Sequence, residues 1–147
     1  MNNAVKLRAL MKRPGAIKAV GAHDALSARL IERAGFDAIW ASGFAISASL
    51  KCIPDASFID SSEQLAVERN IAEAVSIPII ADCDTGYGNA LNVMRAVNDR
   101  ERAGIAAICI EDNVYPKRCS FYAGVRDRKS TRLNSSHVSE SRMPSSA

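Results

Sequence analysis

The chain has 147 residues, 48% of them apolar and 24% charged, and its 19 Lys+Arg against 16 Asp+Glu give a formal net charge of +3. This length is typical of a single domain. No apolar stretch approaches the roughly 20 residues that a membrane-spanning helix needs, and the N-terminus lacks the apolar core of a secretory signal. A membrane protein, a disordered chain and a secreted disulfide scaffold are therefore disfavoured.

The composition changes abruptly at Asp127. Residues 127–147 contain seven Ser and only four apolar residues, and without their four Lys+Arg and two Asp+Glu the net charge of residues 1–126 is +1. The basic balance therefore gives no argument for nucleic-acid binding. Back-translation of this segment resembles a common sequencing adapter, so we interpret residues 127–147 as a non-native disordered tail and residues 1–126 as the domain.

The rest of the chain alternates helical and strand-like segments. Apolar spacing and capping signals predict helices over residues 3–12, from Asp24 to Gly35, after a capping box of Ser61 and Gln64, and over residues 89–103. Short apolar runs predict strands over residues 17–22, 38–41, 77–81 and 105–110. Residues 42–60 are predicted to form one long loop.

These strands are continuous apolar runs rather than alternating ones, which is typical of a parallel sheet buried on both faces. Repeated βα units of this kind indicate an α/β protein, either a doubly wound sheet or a (β/α)8 barrel. A complete barrel needs about 250 residues. Four units therefore correspond to about half of one.

Carboxylates follow the third and fourth predicted strands. Asp82 and Asp84 stand two positions apart, on the same side of an extended strand, and Glu111 follows the next strand. Sites in parallel α/β folds form at the carboxyl ends of strands, where such a cluster of like charges needs a cation. Oxygen ligands of this kind suit Mg²⁺ or Mn²⁺. The alternative is that these residues are helix caps and surface ion pairs.

The next residues, Gly86-Tyr87-Gly88, resemble the start of a dinucleotide-binding fingerprint. The neighbouring Asp82 and Asp84 would repel a pyrophosphate, and the third glycine is missing. We therefore interpret these glycines as allowing the backbone to turn tightly around a metal site.

Three further loops each permit two interpretations. Ser42 and Gly43 could hold an anionic oxygen or form a plain turn. Asp55 lies in the long loop, where a single Asp is usually a turn former. Residues 117–120 combine two cations, a thiol and a hydroxyl, which favours a thiolate but also fits a solvated surface. The four cysteines show no metal-binding spacing, and reduced thiols in a cytoplasmic protein fit all of them.

Taken together, these segments resemble the phosphoenolpyruvate mutase/isocitrate lyase superfamily over nearly all of residues 16–126. The stretches that carry the resemblance are 21–27 (GAHDALS), 40–44 (WASGF), 82–89 (DCDTGYGN) and 111–117 (EDNVYPK).

The resemblance implies a (β/α)8 TIM barrel, of which this chain holds about the first four βα units. It implies Mg²⁺ as the metal, with Mn²⁺ as an alternative, and a small α-keto acid or phosphonate as the substrate. The full-length protein is then expected to be a homodimer or homotetramer, and neither nucleic acid nor a membrane is expected as a partner.

The resemblance also assigns roles to individual residues. The implied metal ligands are Asp82, binding directly, with Asp84 and Glu111 acting largely through waters. The implied substrate-binding residues are Trp40, Ser42, Gly43 and Phe44. The implied catalytic residues are Asp55, Lys117, Cys119 and Ser120.

The loop around Lys117 combines features of two branches of the superfamily. Pro116, Lys117 and Ser120 resemble the phosphonopyruvate enzymes, whereas Lys117-Arg118-Cys119 resembles the lyases, in which the Cys transfers a proton. We predict a phosphoenolpyruvate mutase-like enzyme of phosphonate metabolism, which makes or breaks the P–C bond of phosphonopyruvate through an enolate. The alternative is a C–C lyase of the isocitrate or 2-methylisocitrate lyase type.

A different expectation applies to the chain on its own. Half a barrel leaves two sheet edges open and a core uncovered. The 147-residue chain is therefore expected to be inactive and to aggregate when it is expressed alone.

Overall fold

The computed structural model describes residues 2–113 and 115–117. Cys119, Ser120 and the predicted tail at residues 127–147 lie outside this range, so the expectations for them remain predictions.

Helices and strands alternate along the described residues. In chain order the elements are α1 (Asn3–Met11), β1 (Ala19–Ala22), α2 (Ala25–Arg33), β2 (Ala38–Ala41), α3 (Gly43–Lys51), α4 (Ser61–Ala74), β3 (Ile79–Asp82), α5 (Ala90–Arg102) and β4 (Ala107–Cys109). The four predicted strands are all present, although three of them are shorter than the apolar runs that predicted them.

The strands form one parallel sheet in the order β1-β2-β3-β4. The register places Ala22 beside Ala41, and Asp82 beside Cys109. The carboxyl ends of the strands therefore lie at one edge of the sheet, and the loops that follow the strands meet there. The prediction of a parallel α/β sheet is confirmed.

The core lies between this sheet and the helices that cover it. Its largest fully buried apolar side chains are Ile39, Ile46, Ile71 and Ile79. In α2 and α5, the small residues Ala28 and Ala96 are buried, whereas the long apolar side chains Leu26, Leu30, Leu91 and Met94 are exposed. Among the described residues, none of the helices combines the length and the apolar character that crossing a bilayer requires.

The prediction of one long loop after β2 is wrong over Gly43–Lys51, which form α3. Ser42 caps this helix, since its Oγ accepts a hydrogen bond from the Ala45 N–H at 3.3 Å. One glycine and two serines in so short a segment give little intrinsic helix propensity. Burial of Ile46 against the sheet provides the tertiary packing that stabilises the helix.

The capping box of α4 lies one residue earlier than predicted. The Asp60 carboxylate accepts hydrogen bonds from the Ser62 and Glu63 N–H groups, and Glu63 Oε2 accepts from the Asp60 N–H at 3.1 Å. Gln64 is therefore not needed for capping. Its side chain points inward instead, and its Nε2 donates a hydrogen bond to the carbonyl oxygen of Asp82.

Candidate active site

A tight turn after β3 holds Asp82 and Asp84 together. Asp84 has a φ of 47° and Gly86 a φ of 88°, both in the left-handed region. The Asp84 N–H donates to Asp82 Oδ1 at 3.2 Å, and the Gly86 N–H donates to the Cys83 carbonyl at 2.8 Å. The two carboxylates therefore converge because the backbone turns at Asp84, and not through the strand alternation that the sequence suggests.

The first residue of α3 lies directly against this turn. The Gly43 N–H donates to Asp82 Oδ2 at 3.3 Å. A Cβ at position 43 would lie 3.2 Å from both Asp82 Oδ2 and Asp84 Oδ1, so a glycine is needed for this close approach. The positive end of the helix dipole also favours carboxylates at this position.

Lys117 joins three carboxylates from three different loops. Its Nζ lies 2.8 Å from Asp55 Oδ2, 2.8 Å from Asp84 Oδ1 and 3.1 Å from Glu111 Oε1. The Lys117 N–H also donates to Ser57 Oγ at 2.9 Å, which fixes the backbone of one loop to the other. The Lys117, Asp55 and Asp84 side chains are all more than nine-tenths buried, whereas Glu111 is partly exposed.

The electrostatics of this cluster follow from burial and charge pairing. Burial raises the pKa of the Asp84 carboxyl, and the Lys117 ammonium only partly offsets that effect. Burial alone would lower the pKa of Lys117, but its hydrogen bonds to Asp55 and Asp84 outweigh burial and raise it above the ordinary range. The side chain therefore carries a positive charge at neutral pH.

Sequence reasoning placed the predicted substrate-binding residues at the end of β2, where they lie in the structure. Trp40 is half-buried in β2, and Phe44 is exposed at the start of α3. The Ser42 N–H donates to the Ala22 carbonyl at 3.1 Å, and the Gly43 N–H is used by Asp82. In this arrangement, the donors that the stretch can offer to an acid group are the Ser42 hydroxyl and the Phe44 N–H.

The structure therefore brings most of the predicted site residues to one place, the carboxyl edge of the sheet. Asp55, Asp84 and Glu111 surround the Lys117 ammonium, Asp82 lies against Asp84 and Gly43, and Ser42 and Phe44 flank Gly43 in the chain. Asp55 belongs to this cluster and is not a plain turn former.

The donor set has the chemistry that Mg²⁺ requires. Asp82 is buried, and in the part of the chain that the structure describes it has no ion pair; its carboxylate accepts only the two long backbone hydrogen bonds above. Among the described residues, four carboxylates against one ammonium leave an excess of negative charge at this site. The described residues contain no group of three or more His, Cys, Asp or Glu side chains that could hold a metal ion by themselves. This is compatible with Mg²⁺, which proteins usually hold by one or two carboxylates, with waters and substrate completing its coordination.

Sequence reasoning missed a second set of residues behind the turn. Gln64 contacts the Asp82 carbonyl, and the buried pair Glu68 and Arg100 contacts Tyr87 in the same turn. A signal was present in the sequence. Gln64 and Glu68 occupy the same helical face as the apolar Leu65 and Ile71, where polar side chains need buried partners.

Comparison with known proteins places these observations in a family context. Residues 7–136 match the family model described as phosphoenolpyruvate phosphomutase, and this match extends beyond residue 126. The 2,3-dimethylmalate lyase of Eubacterium barkeri is 46% identical over 124 residues, which cover 84% of this chain and 43% of the lyase. The phosphonopyruvate hydrolase of Variovorax sp. (strain Pal2) is 48% identical over 115 residues, which cover 78% of this chain and 39% of the hydrolase.

Solved structures agree with this assignment. The crystal structure of phosphoenolpyruvate phosphomutase from Streptomyces platensis subsp. rosaceus superposes with a TM-score of 0.82 and 53% sequence identity, over 85% of this chain and 43% of that one. The structural neighbours are TIM barrels of this superfamily. The chain thus has the parallel α/β architecture of part of such a barrel, as predicted from the sequence, and spans about 40% of the length of the curated relatives described above.

Proposed function

The chain belongs to the phosphoenolpyruvate phosphomutase family, and on that premise we propose that it acts, within a complete barrel, as a Mg²⁺-dependent enzyme that makes or breaks the P–C bond of phosphonopyruvate. Residues 1–126 would form the first half of this barrel. The protein would act as a homodimer or homotetramer. The free thiols of Cys52, Cys83 and Cys109 support a reducing compartment, the cytoplasm, for it.

One observation carries the choice of this reaction among those of the superfamily. The Asp55 carboxylate is buried in an ion pair with Lys117, 2.8 Å from its Nζ, beside the carboxylates at the strand ends. The resemblance to the superfamily also implies that Asp55 matches an Asp of the mutase branch. Its burial among charged groups of the site supports a role for it in the reaction rather than in forming a turn.

Different residues of the site would bind the acid group and the phosphoryl group of the substrate. The Ser42 hydroxyl and the Phe44 N–H, at the N-terminus of α3, would bind the acid group of phosphonopyruvate, helped by the helix dipole. Lys117 would hold the phosphoryl group by charge attraction as its bond to carbon breaks, and Asp55 would keep the ammonium in position. The absence of a side chain at Gly43 leaves room for the substrate beside the carboxylates.

The metal would be held by the acidic side of the same cluster. Asp82 would bind it directly, with Asp84 and Glu111 acting through waters. Mg²⁺ bound there would supply positive charge to the substrate oxygen that becomes an enolate.

A C–C lyase is the second candidate, because a specific observation favours it. The 2,3-dimethylmalate lyase of Eubacterium barkeri is 46% identical to this chain, a value close to that of the phosphonopyruvate hydrolase. In a lyase of this type, Cys119 would transfer the proton.

The two candidates make different products, which one experiment separates. The full-length protein is incubated with Mg²⁺ and either phosphonopyruvate or 2,3-dimethylmalate. The fate of phosphonopyruvate is followed by ³¹P NMR and that of dimethylmalate by ¹H NMR. The proposal expects loss of the phosphonate signal with gain of a phosphate ester or free phosphate. Cleavage of dimethylmalate with an unchanged phosphonate signal would assign the chain to the lyases.

A further inference from the structure

A buried ion pair joins α4 to α5 behind the candidate site. Arg100 Nε lies 3.0 Å from Glu68 Oε2, and Arg100 Nη2 donates to Glu68 Oε1 at 3.2 Å. Both side chains are almost completely buried. Arg100 Nη1 also donates to Ser61 Oγ at 3.1 Å. This pair therefore links the beginning and middle of α4 to the end of α5.

Arg100, and Gln64 one turn before Glu68, both contact the turn after β3. Arg100 Nη2 donates to Tyr87 Oη at 2.9 Å, and the guanidinium lies 5.1 Å from the centre of the Tyr87 ring. Gln64 lies one turn before Glu68 on the same face of α4, and its Nε2 donates a hydrogen bond to the carbonyl oxygen of Asp82. In the segment Asp82–Tyr87, the first residue is thus contacted by Gln64 and the sixth by Arg100.

A buried ion pair is a costly way to stabilise a fold. Removing two charges from water can cost more free energy than their mutual attraction contributes. Apolar residues of similar size would therefore often stabilise the fold equally well. The better attested benefit of such groups is that they specify one conformation. Here the segment whose conformation would be specified is the turn after β3, which has positive φ at Asp84, Gly86, Tyr87 and Gly88.

We propose that Arg100, which Glu68 holds in place and which acts through Tyr87, and Gln64 are positioning residues that hold the turn after β3 in the conformation that brings Asp82 and Asp84 together at Gly43. The expected effect on kcat rests on the proposed function, whereas the expected effect on the conformation of the turn does not. A contact to the Asp82 carbonyl can affect the position of the Asp82 carboxylate, because both groups belong to the same residue.

The test separates positioning from stability. A double variant of the full-length protein, Glu68→Leu/Arg100→Met, replaces the ion pair with apolar side chains of similar length. Its Tm is expected to equal or exceed that of the wild type. Amide hydrogen exchange in residues 83–88, measured by mass spectrometry, is expected to be faster, and kcat on phosphonopyruvate is expected to fall by roughly 10-fold or more.

A matched control removes an ion pair that lies away from the turn. Arg29 Nη1 lies 2.8 Å from Glu32 Oε2, and Glu32 Oε1 accepts two hydrogen bonds from Ser76, before β3 begins. The double variant Arg29→Met/Glu32→Leu is expected to lower Tm and to leave kcat and exchange in residues 83–88 unchanged. This control therefore shows whether a loss of stability alone changes kcat or hydrogen exchange in residues 83–88.

A single variant keeps the inference testable if the first double variant does not fold. Gln64→Met preserves side-chain length and removes only the donor to the Asp82 carbonyl, so it is expected to accelerate exchange in residues 83–88. Exchange equal to the wild type in the folded variants would overturn the inference. If the wild type shows no turnover of phosphonopyruvate, the proposed function fails, and the exchange rates still decide whether these residues position the turn.

Discussion

Asp55 Oδ2 lies 2.8 Å from Lys117 Nζ, and both side chains are more than nine-tenths buried. The two residues belong to different loops, one after α3 and one after β4. Their ion pair joins these loops over the carboxyl ends of the strands. Because Lys117 also contacts Asp84 and Glu111, its ammonium serves as the positive charge within an acidic cluster.

Replacing this ammonium is expected to have opposite effects on stability and on metal affinity. Lys117→Met leaves buried carboxylates without their partner, so the metal-free protein is expected to lose about 3–5 kcal/mol of unfolding free energy. At an effective dielectric constant of ~20, the repulsion between a bound Mn²⁺ and a positive charge a few ångströms away amounts to a few kcal/mol. Removing it is therefore expected to tighten Mn²⁺ binding, measured by calorimetry, at least tenfold by this estimate.

The control for that experiment is Lys51→Met. Lys51 forms an ion pair with Glu63, but on a partly exposed helix end. This variant is expected to leave Mn²⁺ affinity unchanged. Mn²⁺ binding that is equal or weaker in Lys117→Met would contradict competition between the ammonium and a metal for the same carboxylates.

The raised pKa of Asp84 predicts a pH dependence of stability. Because burial raises the pKa of this carboxyl in the folded chain, the folded state binds more protons than the unfolded state just above the ordinary carboxyl pKa of about 3.9. The contribution of Asp84 to the free energy of unfolding therefore falls as pH rises through the interval between the two pKa values. As pH rises above about 4, Asp84→Asn should therefore gain stability relative to the metal-free wild type, as measured by urea unfolding.

Asp37 provides a control, because the pKa of its carboxyl is shifted in the opposite direction. Hydrogen bonds from the Lys18 N–H and from Arg13 lower the pKa of the Asp37 carboxyl. Its contribution to stability is present above the ordinary carboxyl pKa and is lost as pH falls through the lowered value. Relative to the wild type, Asp37→Asn should therefore lose stability as pH rises toward about 4, and the difference should stay constant at higher pH. The same direction of change in both variants would contradict the account of Asp84.

A methyl group at position 43 is expected to impair activity without harming the fold. The backbone of Gly43 begins a helix, where Ala has a higher propensity than Gly by up to about 1 kcal/mol. Its Cβ, however, would lie 3.2 Å from oxygens of both Asp82 and Asp84 and would displace them. Gly43→Ala is expected to keep its Tm and to lose roughly 100-fold in kcat on phosphonopyruvate, because small misplacements at a reacting centre have effects of that size.

Gly21→Ala is the matched control for this substitution. A Cβ at position 21 would lie 3.8 Å from the Ser42 Cβ, which is an ordinary contact. Its turnover is expected to resemble that of the wild type. Full activity in Gly43→Ala would show that the close approach of α3 to the carboxylates does not matter for the reaction.

The sheet and the acidic cluster were predictable from sequence because local patterns encode them. Continuous apolar runs predict buried parallel strands, and parallel strands place the residues that follow them at one edge, as found for Asp82 and Glu111. Helix α3 was not predictable in this way, because its stability depends on burial of Ile46 rather than on propensity. The contact of Gln64 with the Asp82 carbonyl depends on how α4 packs, and a shift of one residue in the assigned cap concealed it.

The central claim is that the site acts on a P–C bond through Asp55 and Lys117, and paired variants test it most directly. Phosphonopyruvate turnover by the full-length protein with Mg²⁺ is measured in Asp55→Ala and in Cys119→Ala. Asp55→Ala is expected to lose turnover, because Lys117 loses one of its two buried carboxylate partners, and Cys119→Ala is expected to retain it. Loss of activity in Cys119→Ala with retention in Asp55→Ala, or turnover that EDTA does not reduce, would contradict it.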